Sequence, residues 1–404
     1  MYRMTKRQLM LFLSILLPVF MFACGSDKTS TTSSTFITGY SAVLSNLSTV
    51  RTWGANGFGQ LGNGSTSDSH TPVKMAKFSN NLTAIATGGG HVLALDNTSG
   101  TVMAWGYNAY GQLGNNSTAS SSTPVNVLLS GGTTHFSGVK AIAAGSQHSL
   151  ALAGDDTVWA WGYNGFGQLG NNSTTNSPMP VQVKKAGGIA LTGITAIAAG
   201  GDFSLALDGS GVVWAWGNNT KGQLGVSSTT TTSLTAVQVD SLTGITKIAA
   251  GVAHGLAIDS SGAVWGWGYN AFGQLGQPVN TTSPSIFMAL QITLPGAATA
   301  ISAGSGHSLA IINDSVYAWG YNFYGQLGNG AALKSETPVL TPQKVMMDLN
   351  NTALTGINTI TAIGFHNIAI DGSGNVWTWG YNGYGQLGDG TTTDHSYAQK
   401  VLFP

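Results

Sequence analysis

Trp53-Gly54-Ala55-Asn56-Gly57-Phe58-Gly59-Gln60-Leu61-Gly62 is the stretch from which the rest of this chain can be read. The same pattern returns with its tryptophan at 105, 161, 216, 267, 319 and 379, so the chain repeats itself every 51 to 60 residues. Ahead of most copies stands a second block, as in Ala143-Ala144-Gly145-Ser146-Gln147-His148-Ser149-Leu150-Ala151-Leu152. Turns such as Asp208-Gly209-Ser210-Gly211 and Asp371-Gly372-Ser373-Gly374 separate the two blocks. A period of this length marks a stacked or ring-shaped architecture, in which each unit buries its apolar face only against its neighbours.

Each unit reads as four short strands. In one unit Pro124-Val125-Asn126-Val127 would be the first and Ala141-Ile142-Ala143-Ala144 the second. Residues 149–152 and 158–161 would form a hairpin, with Asp-Gly steps in several copies supplying the positive φ its turn needs. Four strands in about 50 residues make a propeller blade. The expected fold is therefore all-β, a seven-bladed β-propeller of four-stranded blades. The first unit begins near Phe36 with no Pro-Val strand ahead of it, and Tyr397-Ala398-Gln399-Lys400-Val401 resembles that missing strand. The C-terminal strand is accordingly expected to complete the first blade and close the ring, leaving only short, protected edges.

Composition agrees with many short strands joined by polar turns. Glycine supplies 57 of 404 residues, only 7% are charged and 42% are hydrophobic, enough for a core and against disorder. Fifteen basic residues balance 15 acidic ones, and Arg3, Lys6 and Arg7 lie in the first segment, leaving 12 against 15, a net of −3. That is no footprint for a phosphate backbone, so nucleic acid is not expected as a partner.

The N-terminus reads as an export signal. Residues 1–8 are short and positive, and residues 9–22 are apolar apart from Ser14 and Pro18, too short a run for a membrane span. Met21-Phe22-Ala23-Cys24 resembles a bacterial lipobox. The resemblance implies cleavage after Ala23 and acylation of Cys24, the only cysteine, which has no disulfide partner. An ordinary signal followed by a stray thiol is the plainer alternative. The expected organisation is a signal at 1–23, a Ser/Thr-rich tether at 24–35 and the propeller at 36–404. Gly25 is not the acidic residue that resembles an inner-membrane retention signal, so an outer-membrane anchor in the cell envelope is the expectation.

The Trp-Gly-x-Asn-x-x-Gly-Gln-Leu-Gly and Gly-x-x-His-Ser-Leu-Ala-Leu blocks resemble the regulator of chromosome condensation repeat, in seven copies over 36–404. What the resemblance implies is a propeller. On function it points to members as different as a eukaryotic nucleotide exchange factor for a small GTPase and a secreted bacterial inhibitor of β-lactamases.

Five histidines, His91, His148, His254, His307 and His366, share one repeat position, with Ala42 and Phe203 standing there in the other two units. One histidine per blade, exchangeable for Phe or Ala, reads as a core hydrogen-bonding residue. A metal site would need three or four ligands converging on one point, so no metal is expected. No cofactor is expected either. The Gly-Gln-Leu-Gly glycines are followed by no Lys-Ser/Thr and read as turn or close-contact residues, not a phosphate loop. Each Asp-Gly turn has a lone carboxylate, unlike a calcium loop. Glu336 is the single glutamate, and His70, His135 and His395, which do not repeat, have no nucleophile motif beside them, so no catalytic residues are assigned. Of the paired tryptophans (Trp159 and Trp161, for example), at least one should lie between blades.

The informative positions lie inside the Trp-Gly block, where two residues are usually aromatic: Tyr107 and Tyr110, Tyr163 and Phe166, Tyr269 and Phe272, Tyr321 and Tyr324, Tyr381 and Tyr384. The first unit keeps only Phe58, and the fourth has Asn218 and Lys221. Because each block is read as connecting one blade to the next, these rings should recur around one face of the disc. Two readings stand side by side: a binding surface, for which tyrosine is well suited, or a cover for the turns. The expected function is a non-enzymatic, monomeric scaffold that engages a protein partner, or as a variant a glycan, through that face. Guanine-nucleotide exchange is the alternative, although the spacings show no long wedge-like insertion.

Overall fold

The computed structural model describes residues 21–23, 39–45, 49–75, 82–129, 131–228 and 230–403. From residue 39 onward the strands form seven antiparallel sheets, one per repeat, arranged as the blades of a β-propeller. The third blade is representative. Its strands Val139–Ala144, His148–Ala153, Val158–Gly162 and Ser177–Gln182 lie side by side in chain order. The innermost strand is built of alanine and isoleucine because the blades crowd together there, and the second strand, His148–Ala153, is buried along its whole length. The outermost strand is only half-buried.

This order corrects two expectations. The Pro-Val segment is the outer strand of the blade whose Trp-Gly block precedes it: Ser177–Gln182 pairs with Val158–Gly162 across the 14-residue loop that carries the block. The Trp-Gly block therefore joins the third and outer strands of one blade and only leans on the next. The C-terminal strand His395–Lys400 likewise pairs with Val376–Gly380 inside the seventh blade and does not complete the first. The first blade has its own outer strand, Ser69–Lys74, beside Thr49–Gly54 and Tyr40–Ser45. Among the described residues this blade has three strands.

Side chains close the ring. Trp53 Nε1 donates to the Gln386 carbonyl at 2.7 Å, Ser41 Oγ donates to the same carbonyl at 2.8 Å, and Val43 and Trp53 pack with Ile363, Ile368, Val376 and Val401. The same tryptophan-to-glutamine bond recurs at the other six joints at 2.8–3.0 Å, from Trp105 to Gln60 through to Trp379 and Gln326. All seven of these tryptophans are fully buried. A joint made of a large buried indole with its N–H satisfied needs no exchanged strand.

Met21–Ala23, inside the candidate signal, pairs in parallel with Ile85, Ala86 and Thr87. The rest of the candidate signal, Cys24 and the 24–35 tether lie outside the described residues.

Candidate functional site

In every blade the loop from first to second strand and the Trp-Gly loop from third to outer strand emerge at the same end, because successive strands are antiparallel. That end carries nearly all the residues singled out in the sequence.

The Trp-Gly loop is rigid by construction. Its asparagine is buried, and the Oδ1 of Asn108, for instance, accepts the Leu113 N–H at 2.8 Å while Nδ2 donates to the Ser117 and Ala119 carbonyls. The glutamine reaches back, so that Gln112 Oε1 accepts the Tyr110 N–H at 3.0 Å. Gly111 and Gly114 adopt positive φ, and a Cβ on either would strike Pro178 or Trp161 of the next blade. These glycines permit close blade contact at a turn.

Beneath the loops, each repeat histidine crosses to the next blade. His91 Nε2 lies 2.9 Å from Ser149 Oγ, His148 2.9 Å from Ser204 Oγ, His254 3.1 Å from Ser308 Oγ, His366 2.8 Å from Ser41 Oγ, and His307 2.7 Å from Asn367 Oδ1. The hydroxyl proton of Ser149 is already given to the Gln112 carbonyl, so the imidazole must be the donor there, which fixes the Nε2–H tautomer. Burial pushes these imidazoles down to about 3, and His307 to about 4, so they are neutral in the fold.

The two exceptions are matched. Where the next blade would offer Phe203 a serine the chain has Gly255, whose Cβ position is filled by Trp267, and Tyr40 packs in one cluster with Val92, which stands at the serine position of the second blade. Tyr40, not Ala42, holds the histidine position, because it pairs with Gly54 as His148 pairs with Gly162. Ala42 lies two residues further along the same strand and packs in the core. The Tyr40 hydroxyl donates to the His91 and Gly88 carbonyls, an alternative way to hold a seam. Aligning each repeat with its successor, and not only with the consensus, exposes this pairing in the sequence.

At the opposite end, the Asp turns are internally satisfied. Asp259 accepts from Ser261 and Ala263 N–H groups and from Trp265 Nε1, and the Ser261 and Trp265 bonds hold its carboxyl down at about 2. Among the described residues no three His, Cys, Asp or Glu side chains cluster to hold a metal ion. Of the unrepeated histidines, His395 pairs with Asp389 at 2.8 Å, His135 lies 3.3 Å from Asn126 Nδ2, and His70 packs against Gly385.

Above the seams the aromatic residues form a belt. At four of the seven seams one blade's second ring packs on the next blade's first: Phe58 on Tyr107 at 4.6 Å, Tyr110 on Tyr163 at 4.9 Å, Phe272 on Tyr321 at 4.7 Å and Tyr324 on Tyr381 at 4.7 Å. Within each pair the rings meet at 6.0–6.4 Å, as Tyr107 and Tyr110, Tyr163 and Phe166, Tyr269 and Phe272, Tyr321 and Tyr324, and Tyr381 and Tyr384 do. All eleven rings are half-buried, the first of each pair no more sealed than the second, and Lys221 is exposed. Phe323 and Phe365, which the repeat pattern did not single out, thicken the belt around Tyr321 and Tyr324.

The belt breaks at the first blade, where Ala55 follows Tyr384, and more fully at the fourth. Asn218 is buried, its Oδ1 taken by Thr220, and gives Phe166 no ring to meet. Lys221 extends its ammonium over Tyr269, 5.3 Å from the ring centre. Gln168, whose Oε1 accepts the Phe166 N–H, donates its Nε2 to Asp202 at 3.3 Å, and burial pushes the Asp202 carboxyl up to about 6.

Fold and site together define a seven-bladed propeller with a rigid, aromatic-rimmed face. Comparison places it among known proteins. Residues 187–403 match the RCC1-like domain, and residues 49–95, 99–152 and 155–207 match the regulator of chromosome condensation (RCC1) repeat. The chain is 29% identical over 370 residues to the ultraviolet-B receptor UVR8 of Arabidopsis thaliana, covering 90% of this chain and 79% of that one. It is 30% identical over 370 residues to the secretion-regulating guanine nucleotide exchange factor of Bos taurus, covering 85% and 76%. Yeast RCC1 (Prp20), in its crystal structure bound to Kap60, superposes with a TM-score of 0.75 at 24% identity, covering 94% of this chain and 90% of that one. The chain belongs to the regulator of chromosome condensation repeat family.

Proposed function

We propose that the chain is an exported scaffold, tethered to the cell envelope through lipid on Cys24, that engages a protein partner through its aromatic belt. The observation behind this reading is the belt itself. Eleven half-buried rings contributed by six of the seven blades lie along one end, on loops whose asparagine and glutamine side chains hold them in place. Large rigid rings on a fixed backbone present contact area with little ordering entropy to lose on binding. A glycan that stacks on the rings is the variant.

The likeness to the bovine exchange factor supports a second reading, guanine-nucleotide exchange on a small GTPase. It requires a cytosolic chain and no cleavage before Cys24.

One experiment separates them. The full chain, solubilised in detergent, is used as bait against envelope and cytosolic extracts beside a variant carrying Phe166→Ala, Phe272→Ala, Tyr324→Ala and Tyr384→Ala. Capture of an envelope protein by the first and not by the folded second supports the belt. Equal capture by both removes it. Capture of a GTPase, with accelerated nucleotide release, favours exchange. Labelling with radioactive palmitate, lost in Cys24→Ala, tests the anchor separately.

A further inference from the structure

Three observations converge on the opening between the third and fourth blades. First, the position before the repeat histidine lies directly under the preceding blade's second ring. A Cβ on Gly39 would touch Tyr384, one on Gly90 would approach Phe58 and one on Gly306 would touch Phe272. In the fourth blade that position is Asp202, which therefore begins beneath Phe166, and among the residues there (Gly39, Gly90, Gln147, Asp202, Ala253, Gly306, Phe365) it is the single acid.

Second, Phe166, like Tyr384 ahead of Ala55, lacks the ring that caps its other counterparts. Phe58, Tyr110, Phe272 and Tyr324 are each covered at 4.6–4.9 Å by a tyrosine of the next blade, whereas Asn218 is turned into its own loop. Third, the neighbouring joint shows that the belt accepts a cation on a ring: Lys221 stands there in place of the second ring and sets its ammonium over Tyr269. Asp202 has no such cation. One carboxylate oxygen takes the Gln168 amide, and among the described residues the carboxylate makes no ion pair.

Resting on the reading of the belt as a partner-binding face, we propose that this opening is a subsite for one lysine or arginine side chain of the protein partner, held between the face of Phe166 and the carboxylate of Asp202. A cation beside a ring and a partly desolvated carboxylate gains from both, and neither group is neutralised by anything already in place. Burial raises the Asp202 carboxyl and an arriving cation favours its ionised form, so the subsite is filled above pH 6 and weakened below it. Tyr163 is the titratable side chain that senses Asp202. Burial lifts its phenol above 10, so it stays protonated throughout that range and leaves the transition to Asp202.

The test uses small probes, so that it does not depend on the partner. Nα-acetyl-lysine methylamide and its apolar isostere Nα-acetyl-norleucine methylamide are titrated against the full chain in detergent, with saturation-transfer NMR as the readout. The expected result is transfer to the lysine ε-methylene at pH 7.5, about five-fold weaker for norleucine, for Asp202→Asn and at pH 5. Asp202→Asn keeps an oxygen for Gln168, so its folding is not in question. Equal transfer to the two probes, an undiminished lysine signal in Asp202→Asn, or no lysine signal in the unaltered chain each overturns the subsite. Loss of the belt reading shows differently, as equal partner capture by the unaltered and four-alanine baits, whatever the lysine probe does.

Discussion

The seam between the third and fourth blades and the seam between the fourth and fifth are built from the same repeat and differ in opposite ways. In the former the core is of the common kind, His148 against Ser204, while the belt above it is open at Phe166. In the latter the core pair is replaced by Phe203 and Gly255, while the belt slot above it is filled by Lys221 on Tyr269. Inside the seam the replacement is matched: the larger apolar ring comes with loss of the serine side chain. On the rim Asn218 has no compensating partner. Buried volume and buried donors must balance across a joint, whereas a half-exposed rim tolerates a gap. That difference separates residues that hold the ring together from residues free to serve binding.

The strongest way to break the comparison is acid. Five buried histidines titrate near 3 to 4 in the fold against 6.5 when exposed. Their native pKa values lie below the unfolded ones, so the unfolded chain binds more protons as pH falls below 6.5. Stability is complete above that pH and is lost on the way down towards 4. Each histidine contributes a slope of about 1.4 kcal/mol per pH unit, so the chain should unfold well before pH 4. Melting followed by circular dichroism from pH 7.5 downward checks this. A flat melting temperature to pH 4.5 would mean that the histidines are not buried neutral donors.

The matched pairs can be tested next. Phe203→His alone leaves a buried N–H with no acceptor, and Gly255→Ser alone drives a side chain into the ring of Trp267. Each should destabilise by about 2–3 kcal/mol, and the double variant by about 1–3 kcal/mol less than their sum, as measured by urea unfolding. Strict additivity would show that the two residues do not share one site.

How much of this was legible beforehand follows the same division. The repeated Trp-Gly block announced seven blades because a propeller writes its period into the chain, and the belt tyrosines stood out for the same reason. The strand phase was not legible. A Pro-Val segment between two blocks can pair with the strand before it or the strand after it, and the spans do not decide, with 14 residues separating Ser177–Gln182 from Val158–Gly162 and 11 separating it from Ile194–Ala199. The closing joint was misread as a consequence. Tyr40 was missed because it matches no consensus residue, and Asp202 because a single departure at an otherwise variable position carries no periodic signal. Such departures are where a repeat protein distinguishes one side of its ring from another.

Asp202 offers a sharper test of that idea. Its carboxyl is raised from 3.8 to about 6, so the native state holds the proton more tightly than the unfolded chain and stability declines as pH rises through that interval. Asp202→Asn should therefore stabilise the chain by about 1–3 kcal/mol at pH 7.5 and by nothing below pH 4. A loss of stability at pH 7.5 would make Asp202 a structural residue of the Gln168 loop and not a group held at a cost to folding.

The smallest effects belong to the rim and discriminate most finely between its two sectors. Tyr324 touches Tyr321, Phe323, Phe365 and Tyr381, whereas Phe166 meets one ring among the described residues, that of Tyr163. If ring packing holds the belt, Tyr324→Ala should lose about 1–2 kcal/mol and Phe166→Ala about 0.5 kcal/mol or less, since each aromatic pair adds a fraction of that amount beyond its buried area. If the loops hold the rings, through the asparagine and glutamine bonds beneath them, both losses should be small and alike. Urea unfolding of the two variants distinguishes the cases. An unequal pair of losses makes the dense sector a structural patch and concentrates the search for partner contacts on the open side, around Phe166 and Lys221.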